Sequence, residues 1–312
     1  MKAWVGVTDA DWIAQLRAQG EFLEQANFWN PGGTQAFGAV EPGEPFLFKT
    51  KKAFGNALVG AATFDAFVFL PVWETWELFG ASNGVSTLAG FVDRVSRLRR
   101  GSPTTLQSQI GCTLLRDVTF FSVHLGISDD FPENAVRGKR YDLDELPGEH
   151  PVLRAATAYS LATFDLLESV VPWELRGPMF GQARLMPPRL GQQAFKAVVA
   201  SNYRHRCAVT SDKVRPVLEA AHIRPVADGG QHRSDNGLLL RSDMHTLFDR
   251  GYIGVDPKYR LVVSPRLREE FGNGDFLYAR QGEVISLPER RADRPARDFL
   301  EWHLDSVFKV SA

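Results

Sequence analysis

The chain has 312 residues, of which 44% are hydrophobic and 23% are charged, and its 36 Lys and Arg residues nearly balance 37 Asp and Glu. These values are typical of a globular protein with one large or two modest domains. No run approaches the roughly 18 apolar residues of a transmembrane helix, and the first residues lack a secretory signal, so we expect a cytoplasmic protein without a membrane partner. Two distant cysteines, Cys112 and Cys207, exclude a disulfide framework and favour buried apolar positions for both.

The net charge of −1 averages two unlike parts of the chain. Residues 184–268 contain 15 Lys and Arg against 7 Asp and Glu, a balance of +8, and the remaining residues carry −9. A basic segment of this kind favours a phosphate-binding surface, because Lys and Arg release counterions condensed on nucleic acid. A solvated basic surface without a partner is the alternative that charge alone leaves open.

Composition also predicts two domains. Six of the seven tryptophans precede residue 180, and the Pro- and Gly-rich stretch from Arg176 to Pro188 is typical of a linker. We therefore expect an N-terminal domain over residues 1–180 and a C-terminal domain over residues 181–312.

Hydrophobic spacing in the N-terminal half predicts short strands and a few helices, with Asp9 as the N-cap of the first helix. These elements predict strands around one barrel with helices at its rim. The expected order is a helix at 9–23, a turn at 28–33, strands at 45–50, 57–64 and 66–70, helices at 72–79 and 86–100, and a strand at 110–123.

The segment Gly43–Lys49, followed by Leu58–Gly60, resembles a strand pattern of the PUA-like superfamily, which includes EVE, YTH and SRA-type readers of modified bases. The resemblance covers roughly residues 20–125 and implies a PUA-like β-barrel with flanking helices. In such readers aromatic side chains stack on a flipped base. The candidates for that pocket are Trp29, Trp73 and Trp76, and packing in the core or at the rim is the alternative for each.

In the C-terminal half, two strands and one helix are expected to pack together. A strand over residues 217–223 precedes a loop, and Ser242 is a suitable N-cap for a helix that Gly251 ends. His245 and Asp249 are four residues apart and project from one face of that helix. A hairpin is also expected at 252–263.

This order of residues resembles the HNH, or ββα-metal, nuclease motif, with His222, the Gly-Gly loop after Asp228, Asn236 and His245 in sequence. The resemblance covers residue 189 to about residue 263, and the α+β fold that it implies is a ββα-metal domain. Residues 189–195, 203–210 and 294–303 resemble the lead-in helix, the Cys-x-x-Thr turn and the terminal helix of HNH domains in bacterial restriction-type proteins, which would extend the resemblance toward the end of the sequence. It also implies roles: His222 is the general base, Asn236 orders the loop or orients that base, and His245 binds a metal ion.

The sequence departs from this family at two places. Ala221 stands where many relatives have an Asp or His metal ligand, which leaves Asp249 and Glu219 as candidate replacements. An imidazole with carboxylates favours one Mg²⁺ or Mn²⁺ per site. Relatives with paired cysteines bind a structural zinc, and because Cys207 is alone at that place no such zinc is expected.

Together the resemblances imply a modification-dependent DNA endonuclease, a type IV-like restriction enzyme of phage defence. The N-terminal domain would recognise a modified cytosine, using a basic patch at residues 49–52, and the HNH domain would cut double-stranded DNA. A homodimer is expected if both strands are cut, and RNA is a less favoured substrate. Two alternatives stay open: an HNH nicking or nonspecific nuclease whose N-terminal domain is regulatory or protein-binding, and a DNA-binding module with an inactive nuclease site.

Overall fold

The computed structural model describes residues 1–99, 103–127, 131–132, 135, 137–170 and 190–310. Two units make up the chain, Met1–Arg184 and Leu185–Ala312. The boundary expected near residue 180 lies outside the described residues, so the domain limits of 1–180 and 181–312 stay predictions. In the described part of the chain, no helix has the length and apolarity needed to cross a membrane.

One sheet of six strands forms the frame of the N-terminal unit. In the sheet order β2-β5-β4-β3-β1-β6, β1 and β3 pair in parallel and all other neighbours are antiparallel. The strands are β1 (Lys2–Thr8), β2 (Phe22–Asn30), β3 (Pro45–Thr50), β4 (Ala57–Pro71), β5 (Gln109–Gly126) and β6 (Gly138–Asp142). The helices are α1 (Ala10–Arg17), α2 (Val72–Phe79), α3 (Leu88–Leu98) and α4 (Pro151–Val170).

Both faces of β3 are buried, and its successive side chains, which point to opposite faces of the sheet, enter two different apolar clusters. Phe46 and Phe48 of β3 join Trp12 of α1 in one apolar cluster. Leu47, between the two phenylalanines, joins Val152 of α4 in a second cluster. Each fully buried side chain of this size contributes about 1.5–3 kcal/mol to folding, so a central strand with every residue buried anchors the unit.

Several elements of this unit follow the sequence closely. The strand at 45–50 and the helix at 72–79 have the expected bounds, and Asp9 caps α1 by accepting the Asp11 N–H at 3.1 Å. The prediction that this helix continues to Leu23 is wrong, since α1 ends at Arg17 and Gly20 has a φ of 149°. Phe22 and Leu23, which the prediction placed at or just before the end of this helix, belong to β2 and pair with β5.

The two strands expected at 57–64 and 66–70 are one strand, β4, with irregular pairing to β5. Asp65 interrupts the apolar run in the sequence, but its carboxylate is buried and accepts a hydrogen bond from Arg116 Nε at 2.8 Å. A charged residue inside a strand is thus tolerated because the neighbouring strand supplies its partner.

The basic patch expected at residues 49–52 is only partly present on the surface. Lys51 and Lys52 are exposed, but Lys49 is 4% exposed. Its ammonium group donates to the Thr50 carbonyl oxygen at 3.0 Å and lies 4.6 Å from the ring centre of Phe131. Alternation along β3 places the Lys49 side chain inside, so the prediction that it contributes to a surface patch is wrong.

The C-terminal unit contains the two strands and the helix that were expected to pack together, which confirms a mixed α+β fold. β7 and β8 form an antiparallel pair, and α6 follows β8 directly. Its elements are α5 (Gln192–Asn202), β7 (Leu218–His222), β8 (Gly237–Arg241), α6 (Ser242–Asp249), β9 (Ile253–Val255), β10 (Leu261–Val263), α7 (Arg266–Phe271), α8 (Asp275–Tyr278) and α9 (Arg297–Ser306).

The two ends of α6 differ in how well the sequence predicts them. Arg241, not Ser242, is the N-cap, since its backbone is extended (φ −64°, ψ 148°) and Ser242 is already helical. The Asp243 carboxylate accepts the Met244 N–H at 2.9 Å and binds the Arg241 guanidinium. Gly251 follows the helix as expected, with a φ of 73°, and a Cβ there would lie 2.0 Å from the Val307 carbonyl oxygen. Glycine is therefore required where α6 meets the end of α9.

Candidate active site

The ββα arrangement gathers polar side chains around one cleft. His222 ends β7 and lies opposite Gly237 in the hairpin, and α6 carries His245 and Asp249 one turn apart. The cleft has a volume of about 610 Å³. Among its lining residues are His222, His232, His245, Asp249 and His303.

His222 is held on both its ring face and its ring edge. Its ring stacks on Phe195 with centroids 4.1 Å apart, and its Nε2 lies 2.9 Å from Nδ1 of His232. Burial lowers the pKa of His222 to about 4, and the nearby His232 and His245 lower it further in the same direction. The imidazole is therefore neutral at pH 7 and keeps one nitrogen lone pair, as a general base requires.

Asn236 is completely buried, and its side chain ties the loop between the two strands. Its Oδ1 accepts the Arg224 N–H at 2.9 Å, and its Nδ2 donates to the carbonyl oxygens of Arg224 and Gln231, each at 2.9 Å. All three partners are backbone atoms. Of the two roles expected from the sequence, this geometry favours ordering the loop over direct contact with the base.

The Gly-Gly pair of this loop is required by backbone geometry. Gly229 has a φ of 82°, and a Cβ on Gly230 would lie 1.9 Å from the Arg224 carbonyl oxygen. Only glycine fits both positions without a shift of the chain. The loop therefore folds back closely on the residues that follow His222.

His245 lies between the two carboxylates that the sequence suggests as metal ligands. Its Nδ1 is 2.6 Å from Glu219 Oε2, and its Nε2 is 3.3 Å from Asp249 Oδ2. The two ring nitrogens of an imidazole point in different directions, so Glu219 and Asp249 lie at different edges of the ring. Burial raises the pKa of Asp249, an effect that the charge of His245 opposes.

These distances give the two carboxylates different roles around a metal ion: one fits a direct ligand, and the other fits a partner of the ligand histidine. Two ligands about 2.1 Å from one ion and about 90° apart lie about 3 Å from each other, so His245 Nε2 and Asp249 fit a shared divalent ion. Glu219, at hydrogen-bond distance from Nδ1, fits the outer carboxylate that fixes the tautomer of a metal-binding histidine. Among the described residues no group of three His, Cys, Asp or Glu side chains is arranged to hold an ion, so water and phosphate oxygens would complete the coordination.

Two cleft residues have no place in the sequence motif. His232 contacts His222 across the loop, although its position in the sequence shows only a loop residue. His303 of α9 is 2% exposed, stacks on Phe248 at 3.7 Å and donates from Nε2 to the Phe248 carbonyl oxygen at 3.0 Å. Neither contact follows from a local pattern, since the partners are 10 and 55 residues apart in sequence.

The three tryptophans suggested for a base pocket lie in the N-terminal unit. Trp29 donates from Nε1 to the Asn83 carbonyl oxygen at 2.9 Å and packs edge-on against Phe91 at 5.2 Å. Trp76 contacts the same Phe91 ring at 6.1 Å, and the indole N–H of Trp73 is buried. Two of the rings thus pack on α3, and the role of all three in binding a base stays a prediction.

Both cysteines are free and buried, as the sequence predicts. Cys207 lies in the turn before β7, where its sulfur accepts the backbone N–H groups of Thr210 at 3.5 Å and Arg241 at 3.4 Å. The thiol therefore ties this turn to the start of α6.

Comparison with known proteins identifies a family for the C-terminal segment. Residues 207–256 match the HNH endonuclease family model. This segment contains His222, Asn236, His245 and Asp249, so the match includes the candidate site residues of the cleft. No curated protein matches the chain.

Solved structures that resemble the chain have low sequence identity to it. The ASCH protein from Zymomonas mobilis is 11% identical, with a TM-score of 0.33 over 51% of this chain and 94% of that chain. A mutant of the same protein is 10% identical, with a TM-score of 0.34 over 50% of this chain and 98% of that one. A modification-dependent restriction endonuclease, TagI, is 14% identical, with a TM-score of 0.27 over 93% of this chain and 77% of that chain.

Proposed function

We propose that the chain is a metal-dependent endonuclease that hydrolyses phosphodiester bonds in DNA. The observation that carries this proposal is one cleft lined by His222 and by the His245–Asp249 pair, all three of which lie in the segment that matches HNH endonucleases. A base and an ion-binding pair facing one space are the two groups that phosphodiester hydrolysis needs.

The described residues divide the reaction between them. His222 accepts a proton from a water molecule, whose oxygen then bonds to phosphorus while the bond from phosphorus to the 3′ oxygen breaks and that oxygen takes a proton from solvent water. His245 and Asp249 would hold one Mg²⁺ or Mn²⁺, which would neutralise charge on the phosphoryl and leaving oxygens. Glu219 orients His245, and Asn236 keeps the loop beside the base in place.

We assign DNA recognition in two parts. The +8 balance of residues 184–268 supports contact with the phosphates of double-stranded DNA. Recognition of a modified cytosine by the N-terminal unit, and with it phage defence, follows from the sequence resemblance to PUA-like readers. A homodimer would bring two HNH sites to the two strands.

A second candidate function has an observation in its favour. Trp29 and Trp76 pack against Phe91, and Lys49 is buried, so three residues expected to contact DNA are engaged inside the N-terminal unit. A nicking or nonspecific HNH nuclease with a regulatory N-terminal unit is consistent with this packing.

The base assignment is tested by His222→Ala, with cleavage of plasmid DNA followed in Mg²⁺ and in Mn²⁺. We expect cutting to fall by about 10²- to 10⁴-fold, the contribution of a general base, while DNA binding measured by gel shift is unchanged. The control is His124→Ala, an exposed histidine of β5, which should cut as the wild type does. A His222→Ala protein that still cuts at the wild-type rate rejects His222 as the base.

Recognition of modified bases is tested on matched DNA. Phage DNA with modified cytosine and an unmodified copy of the same sequence are cut in parallel, and the modified DNA should be cut faster. Equal rates would reject the reader and favour the second candidate function.

A further inference from the structure

The loop histidine His232 lies in a fixed position beside the proposed base. Its Nδ1 is 2.9 Å from His222 Nε2, and its ring centre is 5.7 Å from that of Phe195, on which His222 stacks. The backbone on either side is tied down, since the His232 carbonyl oxygen accepts the Leu190 N–H at 2.7 Å and Asn236 holds the Gln231 carbonyl oxygen. The folded backbone of the loop therefore holds the His232 ring against the His222 ring.

The direction of this hydrogen bond decides whether His222 can act as a base. A neutral imidazole has one N–H and one lone pair. If His232 donated from Nδ1 to His222 Nε2, the His222 proton would lie on Nδ1 and neither nitrogen would be free to accept one from water. If His222 donates from Nε2, the lone pair is on Nδ1 and is available.

We infer that His232 is a positioning residue whose Nδ1 accepts the Nε2–H of His222 and so leaves the lone pair of His222 on Nδ1. This inference rests on the proposed function, because an acceptor at this place matters for catalysis only if His222 is the base. His232 makes no bond to substrate in this role; it fixes the tautomer and the orientation of the ring that does the chemistry.

Two substitutions of His232 distinguish the loss of its hydrogen-bond acceptor from the loss of its side-chain volume. His232→Leu removes the acceptor, and His232→Asn keeps one, because the asparagine Oδ1 lies close to the place of Nδ1. The matched control is His205→Asn in the same unit, a half-buried histidine with a φ of 51°, a conformation that asparagine tolerates. Melting temperatures of all three show whether each protein is folded.

Two measurements are expected to move together. In ¹⁵N–¹H spectra of the metal-free protein, His222 should be the Nε2–H tautomer in the wild type and in His232→Asn, and a mixture in His232→Leu. The value of kcat should fall by about 10- to 100-fold in His232→Leu with KM for DNA within about two-fold, and His232→Asn should recover most of it. His205→Asn should match the wild type in both.

Other outcomes overturn the inference. Wild-type kcat in His232→Leu, or a loss of kcat with an unchanged His222 tautomer and no recovery in His232→Asn, would show that His232 serves packing alone. If His232→Leu does not fold, His232→Asn and the wild-type tautomer still decide the question. If the wild type cuts no DNA, the proposed function fails, and a wild-type His222 protonated on Nδ1 would separately reject the positioning role.

Discussion

At the scale of single residues, Asn236 shows how one buried side chain can hold a loop through backbone atoms alone. Its amide uses one acceptor and two donors on backbone atoms that are 5 and 12 residues away in sequence. The N–H and carbonyl groups of Arg224 would lose their partner if the amide were removed, whereas the Gln231 carbonyl oxygen would keep the Arg233 N–H at 2.8 Å. A buried polar group without a partner costs about 1–3 kcal/mol.

Asn236→Ala is therefore expected to lower the free energy of unfolding by about 2–4 kcal/mol, because the N–H and the carbonyl group of Arg224 lose their partner at once. Urea denaturation followed by circular dichroism measures the change. Asn273→Ala is the control, since Asn273 is exposed and its side chain accepts only the neighbouring Gly274 N–H; it should change stability by less than about 0.5 kcal/mol. Equal effects of the two substitutions would contradict the role given to Asn236.

Buried histidines make the C-terminal unit sensitive to acid. Burial lowers the pKa of His205, His222 and His303 to about 4, below the ordinary value of 6.5. Between these values the unfolded chain binds more protons than the folded one, so stability is complete above pH 6.5 and falls as the pH decreases toward 4. We expect a lower melting temperature at pH 5 than at pH 7.

His303→Gln tests the origin of this pH dependence. Glutamine keeps an N–H donor for the Phe248 carbonyl oxygen but does not titrate, so the fall in melting temperature between pH 7 and pH 5 should be smaller than in the wild type. Scanning calorimetry at both pH values measures it. An unchanged difference would show that His303 does not contribute to the pH dependence.

At the scale of elements, the join between α6 and α9 depends on one glycine. Gly251 combines a φ of 73° with a Cβ position 2.0 Å from the Val307 carbonyl oxygen. Gly272, at the end of α7, has a similar φ of 61° but open space around its Cβ position. A comparison of the two glycines therefore distinguishes the cost of a left-handed backbone from the cost of a steric clash.

Gly251→Ala should therefore destabilise the protein more than Gly272→Ala. The left-handed conformation costs about 1–2 kcal/mol at either position, and only Gly251→Ala adds a clash with backbone. Denaturant midpoints of the two variants give the comparison. Equal losses would mean that α9 moves away from Gly251 without cost.

The sequence predicts best the elements whose bounds a local pattern sets, even where their contacts are distant in sequence. β3 and α2 have their expected bounds because their apolar periodicity and flanking residues agree with the fold. The end of α1 and the single strand β4 are missed, because pairing with β5 decides both. In the cleft, spacing along α6 brings His245 and Asp249 together, but the His222–His232 contact depends on how the loop closes, which no periodicity shows.

At the scale of the whole molecule, charge is distributed unevenly along the chain. Residues 184–268 carry a net charge of +8 and the rest of the sequence carries −9, so the phosphate contacts are expected on the C-terminal unit. Arg250, exposed at the end of α6 beside Asp249, is well placed for one of them. Arg97 of α3 is also exposed, but it pairs with Asp93 at 3.1 Å.

Binding of a DNA duplex should weaken steeply with salt. For about 4–6 phosphate contacts, the affinity is expected to fall by about 10²- to 10³-fold between about 50 and 200 mM salt. Arg250→Gln should reduce the slope of log affinity against log salt by about 1, and Arg97→Gln should leave it unchanged. Fluorescence anisotropy measures both, and a salt-independent affinity would argue against phosphate contacts.

The backbone ties around Asn236 also bear on how the cleft could be altered by engineering. The loop is closed at its base by bonds to the main chain of Arg224 and Gln231, which do not depend on the side chains between them. Val226 lies in that interval, is 44% exposed and lines the cleft. A library of substitutions at Val226 and Ala227 would therefore vary the entrance of the cleft and leave the contact between His222 and His232 in place.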